Sequence, residues 1–219
     1  MAGKQKQTIR QRLRSISARS SFQALKTLGD IRAELRPDAY RRLRDELKVC
    51  APAHRGLLGA FASTPRSLAY NGPITPVTLA NEMKWSLVIF EGNVHRLNAY
   101  LSLKLSAQES LAAQDWSKVL AIANEVLRQT GWSFWALDLK TAALQACHGL
   151  SDAKAFLQGV RAESTDMPLA LYSTILLDRI DDTFSFSSFR AKISRSSDNF
   201  KPKWFRDFVG YKGRVLDFV

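Results

Sequence analysis

The sequence predicts an all-α protein, and three observations carry that prediction. Apolar side chains recur every three or four positions through most of residues 21–180, which is the spacing of one helix face. Segments of helical length alternate with turns of three or four residues. The turns hold stop and start signals, with Gly131 ahead of Ser133, Gly149 ahead of Ser151, and Asp115 ahead of Trp116. Glycine closes helices and short polar residues open them. The 219 residues, 46% of them apolar with only 2 Cys, fit one large domain or two small ones and exclude wholesale disorder, collagen and a disulfide scaffold. No run approaches the roughly 18 apolar residues of a membrane-spanning helix; the greasiest, Leu87 to Phe90, soon meets Glu91.

Residues 1–20 read as a basic flexible arm. Arg10, Arg12 and Arg14 stand at every second position, which spreads their charge around a helix. Ile9, Leu13 and Ile16 follow i, i+4, i+7, so a helix can be induced here, though alone in water it is expected to fray. Residues 21–62 read as a helical hairpin. A first helix from Ser21 to Leu35 ends at Arg36-Pro37, because the residue before proline is pushed out of the helical region. A second follows from Asp38 to Cys50, with Tyr40, Leu43, Leu47 and Cys50 as its apolar stripe. Residues 63–76, with Pro65, Pro73, Pro76 and Asn71-Gly72-Pro73, read as a linker.

Residues 77–180 form the predicted body. Thr75 caps and Pro76 opens a helix that reaches Glu91 and stops at Gly92. The next, Asn93 to Ala113, has Val94, Leu97, Leu101 and Leu105 in register as its apolar face. Asp115 caps a helix marked by Trp116, Val119, Leu120, Ala123 and Leu127. Ser133 caps another that runs to Cys147 and is apolar on several faces (Trp135, Leu137, Leu139, Leu144), which implies burial between neighbours on both sides. Ser151 starts its successor, and a last clear helix spans Met167 to Ile180. Residues 181–219 are expected to dock as short helices or irregular structure, since Pro202 and the Gly210 to Gly213 region disfavour long helices. The apolar finish, Val215 to Val219, suits a packed terminus or a cut from a longer chain.

The turns at Gln114-Asp115-Trp116 and Gly149-Leu150-Ser151 lie 35 residues apart, close to the period of about 34 in tetratricopeptide arrays. Trp116-Ser117-Lys118-Val119-Leu120 is similar to the start of the second helix of such a repeat, Leu127 falls at its later apolar position, and Ala142 and Gly149 fit the small and turn positions of the next unit. Ser110 and Gln145 stand where that family has an aromatic. Residues 94–165 thus resemble a degenerate tetratricopeptide repeat. The resemblance implies antiparallel hairpins stacked in a solenoid-like array with a groove that holds a peptide or partner helix, and it brings no catalytic residue or cofactor.

The net charge is +12, unevenly placed. Residues 1–50 carry 13 basic and 5 acidic side chains, residues 51–180 carry 11 and 10, and residues 181–219 carry 8 and 5. The basic start attracts an acidic protein surface or a phosphate backbone through a salt-screened field. Lys4, Lys6, Arg10, Arg12, Arg14 and Arg19 lie in a segment without Asp or Glu, as interaction tails do. Arg41, Arg42 and Arg44 extend the set; Arg41 with Asp45 and Arg42 with Glu46 are spaced as i, i+4 ion pairs. These nine residues are the candidate partner-binding or nucleic-acid-binding site, with DNA or RNA the alternative to another protein subunit. Nine aromatics interleave with eight basic residues in 184–219; such rings either stack unpaired bases or anchor the segment to the core. Asp178, Asp181 and Asp182 could coordinate a divalent cation in a metal-dependent enzyme, but no second acidic motif accompanies them. Cys50 and Cys147 belong to no CxxC pair, and His54, His95 and His148 are scattered, so catalysis is not expected. A reducing cytoplasm fits the cysteine usage. The acid-free, Ser- and Arg-rich start also reads as a presequence for the mitochondrial matrix.

Overall fold

Eleven α-helices, and no strand among the described residues, make up the computed structural model, which describes residues 8–16, 21–51, 58, 78–196 and 203–212. The helices are α1 Ile9–Ile16, α2 Ser21–Glu34, α3 Tyr40–Cys50, α4 Leu79–Glu91, α5 Val94–Ala112, α6 Trp116–Thr130, α7 Phe134–His148, α8 Leu150–Glu163, α9 Met167–Arg179, α10 Phe186–Ser196 and α11 Lys203–Lys212. The all-α prediction is correct. None of these helices is long and apolar enough to cross a membrane. The linker at 63–76, with the Thr75 cap and Pro76, lies outside the described residues; α4 begins three residues beyond Pro76, where the Thr78 hydroxyl accepts a hydrogen bond from the Asn81 amide at 3.3 Å. The described residues fall into two compact units, one running to Asn98 and the other starting at Ala99.

In the first unit α1 packs against both α2 and α3, and α4 packs against α3. A 3-10 turn, Pro37–Ala39, joins α2 to α3. The frayed arm is therefore corrected for residues 9–16, which form a docked helix. Leu13 and Ile16 are fully buried beside Leu28, Ile31, Leu43 and Leu47, so burial of about 1.5–3 kcal/mol per large apolar side chain holds a helix too short to persist alone. Tyr40 and Trp85 close this core edge to face, with centroids 5.7 Å apart. The Arg32 guanidinium lies 5.0 Å from the Trp85 ring and pairs with Glu82 at 2.5 Å.

The second unit holds α6 to α9, each packed against the next, with α7 also against α9. Asp115 and Ser133 cap as expected, accepting from the Lys118 amide at 3.1 Å and the Ala136 amide at 3.2 Å. Gly131 and Gly149 take φ of 82° and 91°, a region costly for any residue with a Cβ. α7 is buried on two sides: Ala136, Leu139 and Ala143 join Val119 and Val126 of α6, while Leu137 joins Leu157, Leu169 and Tyr172.

The apolar spacing of α5 does not mark its buried side, and the short helices expected at the C-terminus are present. On α5 the stripe Val94, Leu101 and Leu105 is about half exposed, whereas Ala107 and Ser110 are buried. The C-terminal segment forms two helices of 11 and 10 residues, the second running through Gly210. A glycine inside a helix costs about 1 kcal/mol, and the burial of Phe205 and Val209 one turn apart exceeds it.

Candidate functional site

The basic residues of α1 and α3 meet at a cleft of about 530 Å³ lined by Arg10, Arg14, Arg42, Asp45, Glu46, Val49 and Cys50. Helical geometry assembles it: Arg10 and Arg14 are one turn apart on α1, and Arg42, Asp45, Glu46 and Val49 follow i, i+3, i+4, i+7 on α3. Both carboxylates in the cleft are already neutralised. Arg10 Nε donates to Glu46 Oε2 at 2.7 Å and holds that carboxyl below its usual range. Arg44 Nε donates to Asp45 Oδ1 at 2.9 Å and does the same for Asp45. Arg14 and Arg42, both exposed, make no ion pair among the described residues. The cleft is left with two cations that no carboxylate hydrogen-bonds, Arg42 sharing the field of Glu46 with Arg10.

This outcome reverses the local pairing expected from sequence. Glu46 goes to Arg10 rather than Arg42, and Asp45 to Arg44 rather than Arg41. Arg41 instead grips Glu91 through two bonds of 2.7 and 2.8 Å. Arg44 also donates to the Val88 carbonyl at 3.0 Å, fastening α3 to α4 beside Gly92, where a Cβ would sit 3.2 Å from the Arg44 Cδ. Arg12 pairs with Glu34 at 2.5 Å. Four of the nine candidates, Arg10, Arg12, Arg41 and Arg44, are thus engaged within the fold. Arg14 and Arg42 face outward, and Lys4, Lys6 and Arg19 lie outside the described residues.

The other candidates resolve differently. Phe189 and Phe205 are buried, and Phe208 stacks on Phe134 with centroids 4.7 Å apart; of the described tail rings, Phe184 and Tyr211 are the large exposed ones. Of the two readings of these rings, core anchoring is the one that Phe189, Phe205 and Phe208 take, while Phe200 and Phe218 lie outside the described residues. Trp132, Phe134 and Trp135 turn three ways, toward Phe156, Phe208 and Tyr100 respectively.

The acidic cluster is taken up by lysines. Lys192 pairs with Asp178 at 2.6 Å, and Lys154 approaches Asp181 at 3.4 Å and Asp182 at 3.6 Å. No group of metal-ligating side chains occurs among the described residues. Asp181 accepts from the Thr183 amide at 3.0 Å and from its hydroxyl at 2.7 Å, which with Lys154 holds its pKa at about 2. The unfolded value is about 3.9, so the stability from this turn is complete above about pH 4 and is lost as pH falls toward 2. A carboxyl NMR titration should find that low midpoint, and Thr183→Ala should raise it; a midpoint near 3.9 in the wild type contradicts the geometry.

One polar cluster was not foreseen. Tyr172 Oη donates to Asp138 Oδ1 at 2.8 Å, and Lys212 Nζ donates to Asp138 Oδ2 at 3.1 Å, joining α7, α9 and α11 in a nearly buried triad. The sequence signal was a carboxylate on a helix otherwise apolar on several faces.

No family model, curated protein or solved structure matches the chain. The functional reading therefore rests on the side chains themselves.

Proposed function

We propose that the protein is a non-catalytic interaction module, a scaffold or adaptor subunit of a larger complex, whose α1–α3 cleft receives an acidic surface of a partner protein. The observation that carries this reading is the pair Arg14 and Arg42, which make no ion pair among the described residues at a cleft whose carboxylates are held by Arg10 and Arg44. Arginine suits the role because its planar fork grips a carboxylate through two hydrogen bonds. The succession of α6 to α9, each helix on the next, supports the tetratricopeptide-like part of the reading.

Isolation of the full chain from cells at moderate salt, with and without nuclease, tests the proposal. A partner protein should co-purify regardless of nuclease. Arg14→Glu with Arg42→Glu should weaken its retention by at least about tenfold, while Lys118→Glu on exposed α6 leaves it unchanged. Equal retention by the double variant overturns the cleft as the contact. Loss on nuclease treatment favours the nucleic-acid reading, in which the double variant reduces the slope of log affinity against log salt by about two.

A further inference from the structure

We propose that the outer face of α4 is a self-association surface on which α4 of a second copy of this chain packs antiparallel. Val94, the first residue of α5, is 45% exposed; on α4 itself Leu79, Met83, Leu87 and Phe90 are between 49% and 76% exposed, at steps of four, four and three residues. At about 100° per residue they form one stripe. Trp85, Val88 and Ile89, which are buried in the first unit's core, lie on the opposite side. α4 is therefore apolar on two opposing faces, of which the fold covers one.

Size and charge point to a second copy. The exposed fractions correspond to roughly 500 Å² of apolar surface, at the upper end of what a monomer leaves bare. Two such faces offer about 1,000 Å², near the lower bound of a specific interface. The spacing from Met83 to Phe90 is that of a helix-pair seam, four then three. An antiparallel pair sets Leu87 opposite Phe90 of the second copy, with Met83 reaching the turn that follows its α4. The same register brings Lys84 on the flank beside Glu91 of the second copy, twice by symmetry. Lys84 makes no ion pair among the described residues, and Glu91, oriented by Arg41, keeps lone pairs for a second donor. A parallel pair would set Lys84 beside Leu79 and Glu91 beside Ser86, with no complementarity.

Sedimentation equilibrium of the full chain is the test. The wild type should dimerise with rising concentration. Leu87→Glu with Phe90→Glu, at positions the fold leaves exposed, should give a monomer with unchanged circular dichroism and melting temperature. Lys84→Glu and Glu91→Lys should each weaken the dimer about tenfold, because each sets like charges together. Mixing those two variants should restore wild-type affinity, since every flanking pair in the mixed dimer is then opposite in sign. A wild type that stays monomeric, as it would if another protein or residues 59–77 cover this face, overturns the proposal. So does a dimer indifferent to Leu87→Glu with Phe90→Glu, or a mixture that fails to recover.

Discussion

Trp85→Ala is expected to lower the unfolding free energy of the first unit by about 3 to 5 kcal/mol, the usual cost of emptying a large aromatic site. The indole is 7% exposed and three elements converge on it: α2 through Arg32 at 5.0 Å, α3 through the edge of Tyr40 at 5.7 Å, and α4 itself. Alanine removes the surface under Arg32, whose side chain is only 11% exposed, so Glu82 becomes the main remaining stabiliser of that cation. A cation over an aromatic face contributes about 0.5 to 2 kcal/mol beyond burial. Urea denaturation followed by far-ultraviolet circular dichroism measures the loss. Trp85→Phe should recover more than half of it, because a ring still meets Tyr40 and Arg32. A loss under about 1 kcal/mol for Trp85→Ala would show that the indole does not hold these elements together.

The helices themselves were legible because their signals are local. Asp115, Ser133, Gly131 and Gly149 act within three or four residues of where they stand, and each does in the fold what its position implies. Which side of a helix is buried is not a local property. Val94, Leu101 and Leu105 identify a helix by their spacing, yet α5 buries Ala107 and Ser110, since small side chains allow close approach of a neighbour. The candidate cleft was half legible for the same reason. Arg14 and Arg42 were named from charge, but which arginines stay open depends on competition for carboxylates. Glu34 lies 22 residues from Arg12 and Glu46 lies 36 from Arg10, so a segment without acids in sequence acquires them in space. Once Arg10 takes the hydrogen bond to Glu46, Arg42 keeps only a longer-range attraction to that carboxylate. At the C-terminus glycine and proline correctly limit helix length, but that α11 runs through Gly210 depends on the burial of Phe205 and Val209, which is not a local signal.

Lys212→Met, which keeps the length of the side chain and removes its charge, is expected to cost about 3 kcal/mol near pH 7, the low end for breaking a buried pair. Asp138 and Lys212 are 13% and 15% exposed, so the stranded carboxylate retains little water. The effect should depend on pH in a definite direction. Burial already raises the Asp138 pKa, against the opposing pull of Lys212 and Tyr172, so folding favours its proton. A folded value above the unfolded one means that stability from this group is greatest at low pH and declines as pH rises through the folded pKa. Removing Lys212 takes away the largest influence lowering that pKa and extends the decline to higher pH. The gap in melting temperature between wild type and Lys212→Met should therefore be smallest at the acid end of the range, where Asp138 takes up its proton in both, and should widen as pH rises toward 7. Tyr172→Phe should widen it less, because it removes a hydrogen bond and no charge. If the gap is constant across that range, Asp138 is not the titrating group and Lys212 holds α11 through packing alone.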